Sequence, residues 1–126
     1  PNKEVIQLSA QLNVEWIELH TGSFANIYAM LNSQLGNTHH TIKELELPRS
    51  ELKKKLKESI KQLKKASKFA KKQKLKVAAG HGLNYQNVTL ISSIKHISEL
   101  NIGQSIIARS VFTGLEKAII DMKELI

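Results

Sequence analysis

The chain has 126 residues, no cysteine, 41% hydrophobic residues and a formal net charge of +8. This composition predicts a single globular domain of an intracellular protein that does not depend on an oxidising compartment. No apolar run reaches the roughly 18 residues that a membrane-spanning helix needs. The amino terminus also lacks a signal pattern, so we expect a cytoplasmic protein with no membrane partner. The first residue is Pro1 rather than methionine, which suggests that further sequence precedes it.

The amino-terminal part of the chain predicts a helix followed by a strand. Apolar residues spaced by three and four predict a helix from Asn2 to Leu12, with Asn2 as its N-cap. Alternating β-forming residues then predict a strand from Val14 to His20. The pattern is weakly helical over 25–35, and it is irregular over 36–48, where it ends on a proline.

The positive charge is concentrated in the next segment. Twelve lysines and only two glutamates lie between Glu51 and Lys76, so the rest of the chain is slightly acidic. Apolar residues recur there at threes and fours, which predicts a long amphipathic helix that Ser50 caps and that ends near Gln73. We interpret its lysines as a solvated face and expect no nucleic-acid partner. A nucleic-acid-binding module that uses helix 50–73 is the alternative from another functional class.

Strands and helices continue to alternate toward the carboxyl terminus. The patterns predict a strand (75–79), a helix (84–97), a strand (99–102), a helical segment (105–111) and a final helix (114–126). In the final helix we expect five apolar residues to face inward, namely Leu115, Ala118, Ile119, Met122 and Leu125.

This alternation predicts an α/β fold with parallel strands and helical crossovers. Three strands make a poor sheet alone, and a closed (β/α)₈ TIM barrel needs about 250 residues. We therefore predict that residues 1–126 form the carboxyl-terminal half of a single TIM-barrel domain and supply about its last three strands and their helices. A small open α/β sheet is the alternative fold, and it would also bind ligands at the carboxyl ends of its strands.

Two consecutive predicted strands end on glycine. The segment Ala79-Gly80-His81-Gly82-Leu83 places a histidine between two glycines, and the last strand leads through Gly103 into a helix at Gln104. Glycine lets backbone N–H groups approach an anion, and barrels often bind phosphate after strands seven and eight. If these strands are those two, the amides of Gly82, Gly103 and Gln104 face a phosphate. His81 would then donate or accept a proton beside it.

The first strand also carries polar residues on one face. Because side chains alternate along a strand, Trp16, Glu18 and His20 share one face, and Ile17 and Leu19 share the other. We expect the aliphatic face to meet the helices, which turns Glu18 and His20 toward the barrel interior. An unpaired charge there is costly, so Glu18 is a candidate functional residue.

The same alternation places Glu99, Asn101 and Gly103 of the last strand on the inward side. The pair His39-His40 has metal-ligand chemistry but no third ligand nearby in the sequence. We therefore expect a solvated loop at this pair and no metal site.

Three segments, WIELHTG, KVAAGHGLNYQNV and ELNIGQSIIARSVFTGLEKAI, together resemble the pyridoxine 5′-phosphate synthase family of vitamin B6 biosynthesis. The resemblance covers nearly the whole chain except about 31–57, which we interpret as a lysine-rich helical insertion. It implies a (β/α)₈ barrel that condenses 1-deoxy-D-xylulose 5-phosphate with 3-amino-2-oxopropyl phosphate. The implied products are pyridoxine 5′-phosphate, inorganic phosphate and water. It also implies no metal or organic cofactor, and a homo-oligomer assembled from dimers.

The resemblance implies a role for each matched residue. Glu18 of ELHTG matches the carboxylate that assists proton transfer and stabilises the transition state, and His81 of AGHGL matches the proton donor. Gly82 and Gly103 match glycines that bind the aminoketone phosphate. Gln104 stands where the family usually has histidine; glutamine keeps a backbone amide and a side-chain donor but cannot become a cation. We expect phosphate binding at Gln104 without a charge contribution.

The family's other catalytic groups belong to motifs of its amino-terminal half, and none of them occurs in this chain. We therefore expect these 126 residues alone to be inactive and a longer protein that contains them to be a complete enzyme. A different phosphate-binding barrel, such as an isomerase or an aldolase, is the alternative enzyme. It would share the phosphate site at 103–105 but would need no aminoketone.

Overall fold

The fold is built on a small parallel sheet. The computed structural model describes residues 2–126, and within them three strands pair in the order β1-β2-β3: β1 (Trp16–His20), β2 (Lys76–Gly80) and β3 (Glu99–Asn101). Both pairs of neighbours are parallel. This sheet confirms the predicted α/β class, and all three strands lie close to their predicted bounds.

Helices precede, connect and follow the strands. In chain order they are α1 (Lys3–Gln11), α2 (Gly22–Asn32), α3 (Arg49–Lys72), α4 (Val88–Ser92), α5 (Gln104–Thr113) and α6 (Leu115–Lys123), with short 3₁₀ helices at Leu35–Asn37 and Lys43–Leu45. The Asn2 side chain accepts a hydrogen bond from the Glu4 N–H at 2.8 Å, which confirms the predicted N-cap of α1. Among residues 2–126, no helix combines the length and the apolar character needed to cross a membrane.

Helix α3 has the predicted amphipathic character. Its apolar residues pack into the core, with Leu52, Leu63, Ala66 and Ala70 buried, while the lysines along it are exposed. The predicted cap at Ser50 is wrong, because α3 already begins at Arg49 with Pro48 as its N-cap. The Pro48 carbonyl accepts hydrogen bonds from the N–H groups of Glu51 and Leu52, so the helix starts at the proline.

The helix predicted over 84–97 is much shorter in the structure, where α4 spans only Val88–Ser92. The Asn84 side chain accepts hydrogen bonds from the backbone N–H groups of Gln86 and Asn87, and this local bonding replaces the first helical turns. After α4 the chain continues in tight turns, in which the N–H of Ile97 bonds to the carbonyl of Ile94. The apolar residues of 84–97 have helical spacing, but hydrogen bonds between the Asn84 side chain and the backbone decide the structure where the helix was expected to start.

The two faces of the sheet differ in their surroundings. Leu19, Val77 and Ala79 are buried against the helices, as the alternation predicts. On the opposite face, Glu18 and His20 are exposed, because no helix of residues 2–126 covers that side. The prediction that they point away from the helices is therefore confirmed.

Several apolar side chains of the last two helices are exposed. Ala118 and Met122 of α6 are buried as predicted, but Leu115 and Ile119 are 52% and 40% exposed, so the prediction that these two face inward is wrong. Helices α5 and α6 pack mainly against each other, which leaves one side of the pair uncovered within residues 2–126. Other exposed apolar residues lie on α5 and on α1: Ile107, Val111, Phe112, Val5 and Leu8.

A polar cluster joins α5 and α6. The Asp121 carboxylate accepts hydrogen bonds from Lys117 at 2.9 Å and from Arg109 at 2.5 and 3.0 Å. The Arg109 guanidinium also lies over the ring of Tyr85, 4.6 Å from its centroid, and the Tyr85 hydroxyl donates to the Ala118 carbonyl at 2.7 Å. The hydrogen bonds from Lys117 and Arg109 lower the pKa of the Asp121 carboxyl below its ordinary value of 3.8.

We expect Asp121→Asn to lower the thermal midpoint of the protein at pH 7. A lowered folded-state pKa means that ionised Asp121 stabilises the fold above pH 3.8, and that this contribution is lost as the pH falls through the lower, folded-state value. Thermal melts at a series of pH values should therefore show a difference between parent and variant that disappears in strong acid. Glu116→Gln, which neutralises an exposed carboxylate on the same helix, is the control. A difference that is unchanged from pH 7 to strong acid would contradict the assignment.

Candidate functional site

The carboxyl ends of the strands meet at one edge of the sheet, because all three strands are parallel. An open cleft of about 500 Å³ lies at this edge beside β2 and β3. Four of the predicted site residues line it: His81, Gly82, Gly103 and Gln104. Two segments of the chain, 81–84 and 101–108, therefore contribute to one cleft.

Glu18 lies next to this cleft rather than in its lining. Asn101, which lines the cleft, donates a hydrogen bond from its side-chain amide to Glu18 Oε2. The bond crosses β2 at Gly80, where an added Cβ would lie 3.0 Å from both Glu18 Oε1 and the Asn101 Cβ. A glycine at this position of the central strand thus leaves room for two polar side chains from the flanking strands to meet.

His81 has an uncommon backbone conformation. Its φ is +85°, in the left-handed region that residues other than glycine adopt rarely, and it directly follows the last residue of β2. Strain of this kind costs about 1–3 kcal/mol, persists only where neighbouring groups enforce it, and is concentrated at functional sites.

Thr21 enforces this turn from the end of β1. Its side chain is fully buried, and its hydroxyl lies 2.7 Å from the carbonyl oxygens of both Gly80 and His81. A hydroxyl has only one proton to donate. The Gly80 carbonyl already accepts a hydrogen bond from the Thr21 N–H at 2.8 Å. We therefore assign the hydroxyl proton to the hydrogen bond with the His81 carbonyl. Thr21, the residue after β1, therefore fixes the backbone conformation of His81, the residue after β2.

Gly82 is required by the fold as well as by the predicted phosphate contact. Its φ is +75°, and an added Cβ would lie 2.6 Å from the Ala25 Cβ on α2. Its carbonyl accepts a hydrogen bond at 3.1 Å from the side-chain amide of Asn87, which is buried. The Asn87 side-chain oxygen in turn accepts the Asn84 N–H at 2.9 Å. The loop that exposes the Gly82 amide is held rigidly from inside.

The second strand end supplies the amino terminus of α5. Gly103 is the N-cap of this helix and Gln104 is its first residue, so their amides lie where the helix dipole is positive. An added Cβ on Gly103 would have no heavy atom within 4 Å, so the space beside it is open to a ligand. Ser105 donates to the Leu83 carbonyl at 3.0 Å and ties this helix to the loop after β2.

The predicted site residues omit Thr21, Asn87 and Asn101, which hold the site in place. The alternation along β3 places Asn101 on the same face as the other polar residues of the strand. Its hydrogen bond to Glu18 could be predicted only with knowledge of how the strands pair across Gly80. Thr21 could have been suspected from its position between the strand end and Gly22. Among residues 2–126, no group of three histidine, cysteine or acidic residues is arranged to hold a metal ion, and His39 and His40 are exposed.

The fold and the cleft define an α/β protein with an open cleft at the carboxyl ends of its parallel strands, the edge where such folds bind ligands. The family model described as pyridoxal phosphate biosynthesis protein PdxJ matches residues 1–126. The chain belongs to this family. The matched range includes residues 31–57.

Curated proteins named pyridoxine 5′-phosphate synthase are similar to the chain over its whole length. The protein from Aliarcobacter butzleri is 75% identical over 126 residues, which are all of this chain and 48% of that protein. The protein from a Sulfurovum species is 60% identical over all of this chain and 49% of its own length. The Sulfurimonas denitrificans protein is 56% identical over 99% of this chain and 48% of its own length. The chain therefore spans about half the length of the curated relatives it matches.

We expect Thr21→Val to lower the free energy of unfolding by about 1–3 kcal/mol, because it removes the hydroxyl that donates to the His81 carbonyl and leaves a part-buried acceptor without this partner. Valine has nearly the same shape as threonine, so packing changes little. Thr21→Ser, which keeps the hydroxyl, is the control and should lose less. Denaturant unfolding of the three proteins measures the effect, and equal stability of the valine variant and the parent would contradict the role of Thr21.

Proposed function

We propose that the longer protein containing this chain is a pyridoxine 5′-phosphate synthase. The reaction would condense 1-deoxy-D-xylulose 5-phosphate with 3-amino-2-oxopropyl phosphate to give pyridoxine 5′-phosphate, phosphate and water. The observation that carries the proposal is that His81, Gly82, Gly103 and Gln104 line a single cleft, with Glu18 bonded beside it. The names of the curated relatives support the same activity.

We further propose that the chain is the carboxyl-terminal half of a TIM barrel and contributes its last three strands. The relatives are about twice as long as the chain, which leaves enough residues for the remaining strands. The face of the sheet that carries Glu18 and Asn101 is uncovered, as a barrel interior would be before closure. Exposed apolar residues on α1 and α5, such as Leu8 and Phe112, provide surfaces for the missing half.

The segment 31–57 belongs to the same proposal as a lysine-rich helical insertion. Its apolar residues form a small core of their own with the end of α2, in which Ile27, Leu31 and Leu52 are buried. The segment therefore adds to the outer, helical layer and does not line the cleft. A homo-oligomer remains a prediction.

The cleft would bind the phosphate of the aminoketone substrate. Backbone amides at Gly82 and at the start of α5 can each donate to a phosphate oxygen without a side chain in between. Gln104 adds a neutral donor, so binding would depend on the amides and the helix dipole rather than on a cation from that position.

His81 and Glu18 would move the protons of the reaction. Imine formation, phosphate loss, water addition and ring closure all require proton transfers, and an imidazole next to the bound phosphate ester can supply the proton that the leaving oxygen takes. The Glu18 carboxylate accepts from Asn101 through one oxygen, and its second oxygen, which has no hydrogen bond within residues 2–126, can accept a proton or stabilise developing positive charge.

We expect His81→Ala in the full-length protein to lower turnover by about a hundredfold or more, since general acid catalysis contributes that much. The fold should survive, because the imidazole is exposed and makes no hydrogen bond within residues 2–126. A coupled assay of pyridoxine 5′-phosphate formation measures the effect, with His40→Ala on the exposed loop as control. Near-normal activity in the His81 variant would remove its assignment. Turnover of a single phosphorylated sugar without the aminoketone would instead favour an isomerase or aldolase.

We expect Glu18→Gln to lower kcat strongly with little change in the thermal midpoint. Glutamine keeps the size of the side chain but removes the negative charge, and Glu18 is exposed, so the fold does not depend on it. Steady-state kinetics and thermal melts should be measured on the same preparations, with Glu44→Gln as control. If the thermal midpoint falls together with activity, Glu18 has a structural role instead.

A further inference from the structure

Hydrogen bonds within residues 2–126 do not set the orientation of the His81 imidazole. Thr21 and the Gly82 loop fix its backbone, but within residues 2–126 no hydrogen bond reaches either ring nitrogen. A proton donor must present its ring at a defined angle to the substrate, and a free imidazole can rotate about two side-chain torsions. Another contact must therefore limit the ring.

The imidazole of His20 supplies such a contact. The rings of His20 and His81 are stacked, with centroids 4.2 Å apart and planes 28° from parallel. His20 lies at the end of β1, paired in register with Gly80, so the two rings come from neighbouring strand ends. Stacking restricts the orientation of His81 and leaves both of its ring nitrogens free for a substrate.

His20 itself is anchored. Its Nδ1 accepts a hydrogen bond from the Gly22 N–H at 3.3 Å, so the ring proton of the neutral imidazole is on Nε2. Gly22 also provides the space for the stack, because an added Cβ there would lie 2.5 Å from His20 Cε1 and 2.9 Å from His81 Cδ2. The glycine both holds one ring and makes room for both.

We propose that His20 is a positioning residue for His81, which acts by stacking and not by exchanging protons with the substrate. The proposal rests on the proposed function, since it assigns the means by which the proton donor of that reaction is oriented. It requires a flat ring at position 20 but no ring nitrogen in contact with the substrate. Phenylalanine at this position keeps the stacked ring and loses only the hydrogen bond from the Gly22 N–H, so it should replace histidine better than alanine does.

Kinetics of the full-length protein test this requirement. His20→Ala should lower kcat by between about tenfold and a hundredfold, the loss expected when a catalytic group is misplaced by about 1 Å. The KM for the aminoketone phosphate should change little, because the phosphate-facing amides remain. His20→Phe should recover most of kcat, and His39→Ala, which removes an exposed histidine elsewhere, should leave the rates unchanged. A phenylalanine variant as slow as the alanine variant, or an alanine variant with the parent's kcat, would overturn the proposal.

A second measurement does not depend on turnover. In protein labelled at histidine, the carbon-bound ring protons of His81 should shift downfield in His20→Ala, because the shielding by the stacked ring is lost. They should stay upfield in His20→Phe. Gly22→Ala, whose new methyl group would push both rings away, should also shift them downfield. Unchanged His81 signals in His20→Ala would contradict the stacking of the two rings. If the parent protein shows no synthase activity while these shifts occur, the proposed function fails and the stacked geometry stands.

Discussion

The candidate site depends on one buried link between two strand ends. Thr21 follows β1, and its hydroxyl and N–H bond to the carbonyls of Gly80 and His81 at the end of β2. This link holds His81 at a positive φ and directs the chain into the loop that exposes the Gly82 amide. Without it, the positive φ of His81 would lose the hydrogen bonds that hold it.

Small residues in the central strand β2 leave room for the hydrogen bond between Glu18 and Asn101. Ala78 and Gly80 lie on the open face of β2, between the longer side chains of β1 and β3. Because Gly80 has no side chain, Glu18 and Asn101 can reach each other across it. Backbone links therefore fix the His81 backbone, and the absence of a side chain at Gly80 allows the Glu18 carboxylate to be oriented.

Sequence patterns predicted the strands, the amphipathic α3 and the residues that gather at the cleft. These features depend on the spacing of apolar residues and on the positions of glycines, which can be seen within a short segment. They failed for 84–97, where Asn84 forms hydrogen bonds with nearby backbone groups and prevents helix formation. They also failed for Leu115 and Ile119, whose exposure depends on what surrounds α6 rather than on its own periodicity. The His20–His81 stack and the Thr21 link depend on strand register, which no single segment encodes.

The central claim is that two strand ends form one anion site beside His81. A crystal structure of the full-length protein grown with inorganic phosphate, a product of the proposed reaction, tests this most directly. We expect a phosphate bonded to the backbone amides of Gly82 and Gly103, with the His81 ring next to it and stacked on His20. Phosphate bound elsewhere, or a structure in which these two amides point away from each other, would contradict the account.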